Sequence, residues 1–308
     1  MAVEIPQRVL GNLGWLVLDR GWRVALNLLV LGVVAQHLGP ELFGRLNYAA
    51  SLTALFTVIA TVGLEGLVIR ELVARPAAAP VLLGTAAGLR CLGGLVALLL
   101  AGLTGWSHGG DRELAALALF VATGFVPQAL EVTDLWFQKE MLGRQTAIAR
   151  GLAAVVGASV KLALVAADAP LPWFAAALGL DLALAALALA WQWTHAGGSW
   201  AAWRFCRATA RSLLTEAAPL VGAGLLVAVY LRVEQVLVRE LLGDAAAGIY
   251  FAAARLAEQW AVLPGLIVTA VYPLLARAST DDAAQEQRMQ RLFDALTFFV
   301  VACDCDGQ

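Results

Sequence analysis

Residues 46–64 read LNYAASLTALFTVIATVGL, nineteen positions without a charged side chain. A helix needs roughly 20 mostly apolar residues to cross the hydrocarbon core of a membrane, so this stretch is almost long enough to span it. Uncharged stretches of similar length recur along the chain at 91–110, 114–130, 182–203 and 259–276. This recurrence predicts a protein built from membrane-spanning helices.

The amino-acid composition also indicates a protein that lies in the lipid of a membrane. Apolar residues make up 61% of the 308 residues and charged residues 14%, with a mean hydropathy of +0.77. Soluble domains average about 45–50% and 25% for these classes. We therefore expect an all-α integral membrane protein, a bundle of about eight or nine transmembrane helices. The predicted spans are 13–35, 46–68, 82–105, 113–133, 147–167, 172–194, 213–237 and 249–272, with a ninth beginning near Leu292.

The loops between these spans differ in basic charge from one side to the other. One set of alternate loops holds twelve Lys and Arg residues: Arg8, Arg70, Arg75, Lys139, Arg144, Arg150, Arg204, Arg207, Arg211, Arg277, Arg288 and Arg291. The other set holds three: Arg45, Arg112 and Arg239. Because basic loops stay in the cytoplasm, the N-terminus is predicted to be cytoplasmic. We expect a multi-pass membrane protein.

Composition and spacing also exclude several function classes. The net charge of −2 and the lack of a clustered basic segment argue against a nucleic-acid partner. The three histidines and four cysteines show no metal-ligand spacing, so neither a metal site nor another cofactor is expected. All loops are short, and a membrane enzyme acting on soluble donors usually needs a large loop or domain. No catalytic residues are therefore assigned.

A short motif occurs twice. Residues 38–44, LGPELFG, return at 242–248 as LGDAAAG, and three further small or apolar residues recur at the same offset of 204 residues. The match indicates an internal repeat, and the alternative is that small residues match by chance in an alanine-rich chain. Six predicted spans separate the copies, and an even number preserves direction. We therefore interpret 1–205 and 206–308 as parallel repeats, a six-helix lobe and the start of a second lobe.

At this period the second lobe is incomplete. The last seven residues, ACDCDGQ, leave the apolar pattern abruptly. The pattern predicts a truncated or frame-shifted product, and a fused or incomplete gene would give the same sequence.

These motifs resemble the polysaccharide biosynthesis and export family, the Wzx-type O-antigen and oligosaccharide flippases of the multidrug/oligosaccharidyl-lipid/polysaccharide exporter superfamily. The resemblance rests on 38–44, GLEGLVIREL at 63–72, RVEQ at 232–235, LG at 242–243, GIY at 248–250, AARL at 253–256 and Pro273. It implies two lobes of six helices around a central cavity. It also implies an undecaprenyl-diphosphate-linked oligosaccharide as substrate and a bacterial cytoplasmic (inner) membrane as location.

Charges inside the spans are the candidate functional residues, because a cation at a helix centre costs about 2.5–3.5 kcal/mol on insertion scales. Asp19, Arg20, Arg23 and Asn27 share one face of the first span. One interpretation of this polar face is structural: Asp19 and Arg23 form an ion pair that stabilises the helix. The functional interpretation is a polar stripe along a cavity, in which Arg20 and Arg23 offer planar guanidinium groups to a diphosphate.

The later spans add further candidates. Arg255 and Arg232 are assigned to the same cationic cavity, with Glu258 and Glu234 as coupling or ion-pair residues. Asp181 is expected either to pair with Lys161 or to bind a proton. Other charges are expected to be structural: Arg90 snorkels to the membrane surface. Glu131, Asp134, Lys139 and Glu140 are expected to be solvated at a span end.

The favoured function is a flippase that moves a lipid-linked oligosaccharide across the membrane by alternating access, for polysaccharide or O-antigen synthesis. Its partners would be that substrate, membrane lipids, and a polysaccharide polymerase with its chain-length machinery. Three alternatives stay open. A drug exporter of the same superfamily would need an anionic cavity. A membrane polysaccharide polymerase or ligase would need a long external loop. A non-functional truncated fragment would explain the abrupt end.

Overall fold

The fold is helical throughout the part of the chain that the structure describes. The computed structural model describes residues 7–107 and 112–260, with side chains at 21–104 and 112–257. It is 91% helical and has no strand within those ranges. Six helical stretches are long and apolar enough to cross a membrane, and two of them are double-length, at 54 and 51 residues. The all-α membrane fold is confirmed.

Each double-length helix bends at a glycine. Gln7–Thr61 has non-helical torsions at Gly39 (φ 70°, ψ 171°), and Arg207–Trp260 has them at Gly243 (φ 85°, ψ 177°). Backbone of this kind is open essentially to glycine alone. The bends divide the two stretches into α1 (7–38) and α2 (40–61), and into α9 (207–242) and α10 (244–260). Both bends fall at equivalent positions of the sequence repeat.

Six helices connect these two bent pairs. They are α3 Glu65–Ala74, α4 Ala79–Ser107, α5 Arg112–Ala122, α6 Val132–Lys139, α7 Gly143–Ala166 and α8 Leu171–His195. Short helical turns lie at Pro76–Ala78, Phe125–Gln128, Ala129–Glu131 and Trp200–Ala202. The segment from α5 to α6 follows the predicted fourth span, so the first seven predicted spans correspond to helices. The eighth, 249–272, is described only to residue 260, and that part is helical.

The second predicted span is wrong at its end. Apolar residues continue to Val68, but α2 ends at Thr61 because Val62 and Gly63 both have positive φ, 55° and 59°. The chain turns there, and α3 begins as a separate helix that buries Leu67, Val68 and Leu72. Hydropathy does not detect such a turn, because it counts side chains and not backbone torsions. The predicted ninth span lies outside the described residues.

The long helices alternate in direction, with the short α3 and α6 at one end, so the connections collect at two ends of the bundle. We call one the basic end; its connections carry Arg75, Arg144 and Arg204. We call the other the opposite end; it holds the bends at Gly39 and Gly243. Which end faces the cytoplasm stays a prediction from the basic loops.

Two large apolar clusters hold the bundle together. One, toward the opposite end, joins α1, α2, α8 and α10 through residues such as Tyr48, Phe174 and Phe251. The other, at the basic end, packs α3, α4 and α6 against Leu213 and Ala217 of α9. The pair α9–α10 contacts the rest of the chain chiefly through α1 and α2. The division at residues 205 and 206 stays a prediction.

Candidate functional site: a polar cavity where the repeats meet

A cavity of about 280 Å³ lies where α1 and α2 meet α10. Its walls come from both predicted lobes, since α1, α2, α7 and α8 lie within 1–205 and α10 lies within 206–308. The lining residues are Asn27, Leu28, Val30, Leu31, Val34, Phe43, Leu46, Asn47, Ala50, Lys161, Leu178 and Arg255.

Four polar side chains enter this otherwise apolar wall. Asn27 and Asn47 come from α1 and α2, Lys161 from α7 and Arg255 from α10. The Asn47 amide donates to the Phe43 carbonyl one helical turn back, at 2.9 Å. Arg255 lies about 16 Å along α10 from its first residue, which is about half the thickness of a hydrocarbon core. By this measure Arg255 lies at mid-membrane depth, and Lys161 lines the same cavity about 8 Å from the end of α7.

Lys161 has its own carboxylate partner. Its Nζ donates to Oδ2 of Asp181 on the neighbouring α8, so the predicted pairing of these two residues is confirmed. Gly157 makes room for the pair, because a Cβ at that position would lie 2.1 Å from Asp181 Oδ1. A compensated cation beside the cavity is far less costly than an isolated one. Whether the pair couples transport to a proton stays a prediction.

The first-span stripe is described only in part. Arg23 is half-buried on α1, one helical turn from Asn27 toward the basic end. Asp19, Arg20 and Glu258 lie on α1 and α10, but their side chains fall outside the described residues. The expected pairs Asp19–Arg23 and Arg255–Glu258 are therefore not tested.

The seventh-span candidates lie apart from the cavity. Arg232 Nη1 donates to Gln235 Oε1 at 3.2 Å, and that oxygen also accepts from Ser51 Oγ of α2 at 2.6 Å. Ser51 and Gln235 are each 1% exposed, whereas Glu234 is exposed on another face of α9. Arg232 does not line the cavity, and its hydrogen bond ties it to the α2–α9 interface. Arg232 and Gln235 thus share one face of α9.

The opposite end is closed by a tight crossing of the two motif copies. A Cβ at Gly44 would lie 2.0 Å from the Asp244 carbonyl oxygen, and one at Gly248 would lie 1.9 Å from that of Pro40. These four residues are equivalent in pairs at the offset of 204. The two copies therefore cross with approximate twofold symmetry, backbone against backbone.

Polar pairs surround this crossing. Asp244 accepts from Arg45 Nε at 2.9 Å and from Arg239 Nε at 2.8 Å. Tyr48 donates to Glu240 Oε1 at 2.7 Å, and the Arg239 guanidinium lies 4.4 Å from the Tyr48 ring centroid. Sequence reasoning assigned Arg45 and Arg239 only to loops. The repeat itself was the available signal, because it places Arg45 one residue after Gly44.

At the basic end, two expectations about charges are wrong. Arg90 does not snorkel: it is 1% exposed, and its Nη2 lies 3.5 Å from Glu65 Oε1. Asp134 is not solvated: it is 3% exposed and accepts from Thr146, Gln138 and Arg150. Both residues are enclosed because α3, α4, α6 and α7 converge there. Tertiary packing, and not depth along a span, decides their exposure.

Within residues 7–107 and 112–260, no three His, Cys, Asp or Glu side chains are grouped as for a metal ion. The described cavity instead offers two cations and two amides. Such a set suits an anionic or hydrogen-bonding group that enters from the membrane.

The comparisons with known proteins concern the family. Neither the curated proteins nor the solved structures include a match to this chain. A family model described as polysaccharide biosynthesis protein matches residues 9–279, which include every helix that lines the cavity. Since the match spans most of the 308 residues, the chain belongs to the polysaccharide biosynthesis protein family.

Proposed function

We propose that this protein is a flippase that moves an undecaprenyl-diphosphate-linked oligosaccharide across the bacterial cytoplasmic membrane by alternating access. The family match supports an exporter or flippase of this superfamily in general. The observation that carries the finer proposal is the cavity. Arg255 of the second repeat and Asn27 of the first line the same space, at mid-membrane depth.

The chemistry of the cavity favours an anionic head group. A guanidinium group offers a planar pair of donors that matches phosphate oxygens, and the low dielectric of the membrane strengthens that contact. Asn27 and Asn47 supply amide donors and acceptors for sugar hydroxyls. An organic cation would meet Arg255 with the wrong sign of charge, since the carboxylate of Asp181 already pairs with Lys161, and this disfavours a drug exporter.

In this proposal the present conformation is closed at the opposite end. The crossing at Gly44 and Gly248 and the pairs around Asp244 block that side, which the loop charges predict to be external. Outward opening would separate α2 from α10 and exchange these pairs for contacts with water. The Lys161–Asp181 pair lies next to the cavity and could exchange partners during the same step.

The protein then acts as a carrier and not as an enzyme. Its substrate is completed on the cytoplasmic leaflet and consumed on the external one, where a polymerase with its chain-length machinery would receive it. The prenyl chain stays in lipid while the head group passes through the cavity, so membrane lipids are direct partners.

The test is substitution of Arg255. Arg255→Ala should reduce flipping of a fluorescent undecaprenyl-diphosphate oligosaccharide in vesicles by about tenfold or more, since a charge-assisted hydrogen bond is worth about 1.5–3 kcal/mol. Arg255→Lys keeps the charge without the planar fork and should retain part of the rate. Asn27→Ala, on the facing wall of the cavity, should also lower the flipping rate.

Arg144→Ala is the matched control, because Arg144 is an exposed arginine at the basic end and does not line the cavity. Full flipping by Arg255→Ala at equal protein amounts would overturn the cationic-cavity proposal.

A further inference from the structure

A long groove runs along the outside of the bundle at the basic end, between α4 and α9. Its wide part has a volume of about 1120 Å³ and is bordered by Arg207 and Arg211. Its narrow part, of about 410 Å³, continues along Leu92, Val96 and Ala218 toward Val221. Leu89 and Leu214 belong to both parts, so the two are one continuous groove.

The basic part of the groove is held firmly beside α4. The backbone N–H of Arg204 donates to the Pro80 carbonyl at 3.2 Å, and that of Cys206 donates to Thr85 Oγ1 at 3.1 Å. A Cβ at Gly84 would lie 2.7 Å from the Arg204 nitrogen, so a larger residue there would not allow this approach. The arginines that follow are thus positioned by fixed backbone and not by a loose loop.

The charge at the wide part is positive. Arg207 and Arg211 are exposed one helical turn apart in the first turns of α9. The nearby Glu216 accepts from Arg70 Nη2 at 2.6 Å, so this carboxylate is already engaged by another cation. The N-terminus of the long α9 adds a partial positive charge at the same place. An anionic group would be attracted here.

The dimensions fit one leaflet of a membrane. The fourteen-residue rise from Arg207 to Val221 is about 21 Å along a helix. Half of a hydrocarbon core is about 15 Å, with the head-group layer beyond it. The groove therefore begins at head-group depth with basic residues and ends near the middle of the bilayer with apolar ones.

We propose that this groove binds an anionic phospholipid of the cytoplasmic leaflet. The phosphate of a phosphatidylglycerol-type head group contacts Arg207 and Arg211, with Ser212 and Thr215 as neighbouring hydroxyls. One acyl chain lies in the narrow part. Basic sites between transmembrane helices on the cytoplasmic side have the chemistry that anionic head groups require.

The bound lipid would connect the two repeat units, because α4 belongs to the first unit and α9 to the second. The groove and the central cavity have no lining residue in common. The lipid is thus distinct from the proposed substrate, and its binding does not depend on the flippase proposal.

The test is native mass spectrometry of the detergent-purified protein with phosphatidylglycerol and phosphatidylcholine of identical acyl chains. Phosphatidylglycerol should bind the more tightly of the two. Arg207→Gln combined with Arg211→Gln should weaken it about 30-fold, since each basic residue near an anionic lipid contributes about 1 kcal/mol. Ala218→Trp, which fills the exposed narrow part, should weaken both lipids.

Two substitutions serve as controls: Arg144→Gln, at another exposed basic-end position, and Ala163→Trp, on the exposed surface of α7. Both should leave binding unchanged. Equal affinity for the two lipids, or unchanged affinity in the double arginine variant, would overturn the proposal. Displacement of phosphatidylglycerol by an equal concentration of undecaprenyl phosphate would also overturn it, in favour of the substrate lipid.

Discussion

The two bent pairs, α1–α2 and α9–α10, have the same kind of backbone bend but carry different side chains. Both turn at a glycine of positive φ, and each contributes one glycine to the crossing. Around the crossing, the first pair supplies Arg45 and Tyr48, whereas the second supplies Asp244 and Glu240. The repeat thus determines how the helices approach, and its divergence supplies complementary partners. A symmetric interface would instead place like charges together.

The crossing glycines should be the most sensitive positions. Gly44→Ala and Gly248→Ala each force a methyl group to about 2 Å from a backbone oxygen. Since backbone cannot move aside like a side chain, we expect losses of about 3 kcal/mol or more in stability. Thermal unfolding in detergent measures this effect.

Gly32→Ala is the control for these variants, because nothing lies within 4 Å of a Cβ there. It should be neutral or slightly stabilising, since glycine costs about 0.5–1 kcal/mol in a helix. Equal stability of all three variants would show that the two copies do not cross as described.

Removal of Asp244 should have the next largest effect. Asp244→Ala leaves Arg45 and Arg239 without their shared carboxylate, which is only 17% exposed. We expect a loss of about 2–3 kcal/mol in unfolding free energy. A double-mutant cycle with Arg45→Ala should give a coupling energy of the same sign. Glu41→Gln, at a residue 65% exposed, should change stability by less than about 0.5 kcal/mol.

The Ser51–Gln235 contact tests whether the complementary pairing continues toward the centre. Ser51→Ala removes one of two donors to the buried Gln235 oxygen. The expected destabilisation is about 1 kcal/mol, the usual net value of a hydrogen bond. Ser159→Ala is the control, because that exposed hydroxyl bonds only its own helix at the Val155 carbonyl. An equal effect of the two substitutions would contradict the role given to Ser51.

The smallest effect concerns Cys206, which directly precedes α9 at the basic end. Hydrogen bonds from the backbone and side chain of Thr209 hold the pKa of the Cys206 thiol below its ordinary value. A lower pKa means more reactive thiolate at neutral pH, so an impermeant maleimide should label Cys206 more slowly after Thr209→Ala removes the side-chain hydrogen bond. Labelling from the cytoplasmic side alone would support the predicted orientation. The experiment needs Cys303 and Cys305 replaced by Ser.

Predictions from the sequence were most accurate for features that depend on the residues of one helix alone. The helices followed from hydropathy, and the two bends fall at the glycines of the repeated Leu-Gly motif. The pairing of Lys161 with Asp181 was anticipated because both are costly residues on adjacent spans. Arg90 and Asp134 were misjudged, because neighbours at the basic end enclose them and no local pattern records those neighbours.

By itself, the sequence determined that the chain enters a membrane, roughly where its apolar helices lie, and that one motif occurs twice. Apolar content and glycine conformation are local properties, so they can be read without knowing any neighbour. Only the tertiary structure decided that Asn27 and Arg255 face one cavity, that Arg232 is bound within an interface, and that Asp244 joins two arginines. Most of those contacts join different helices, and packing selects them.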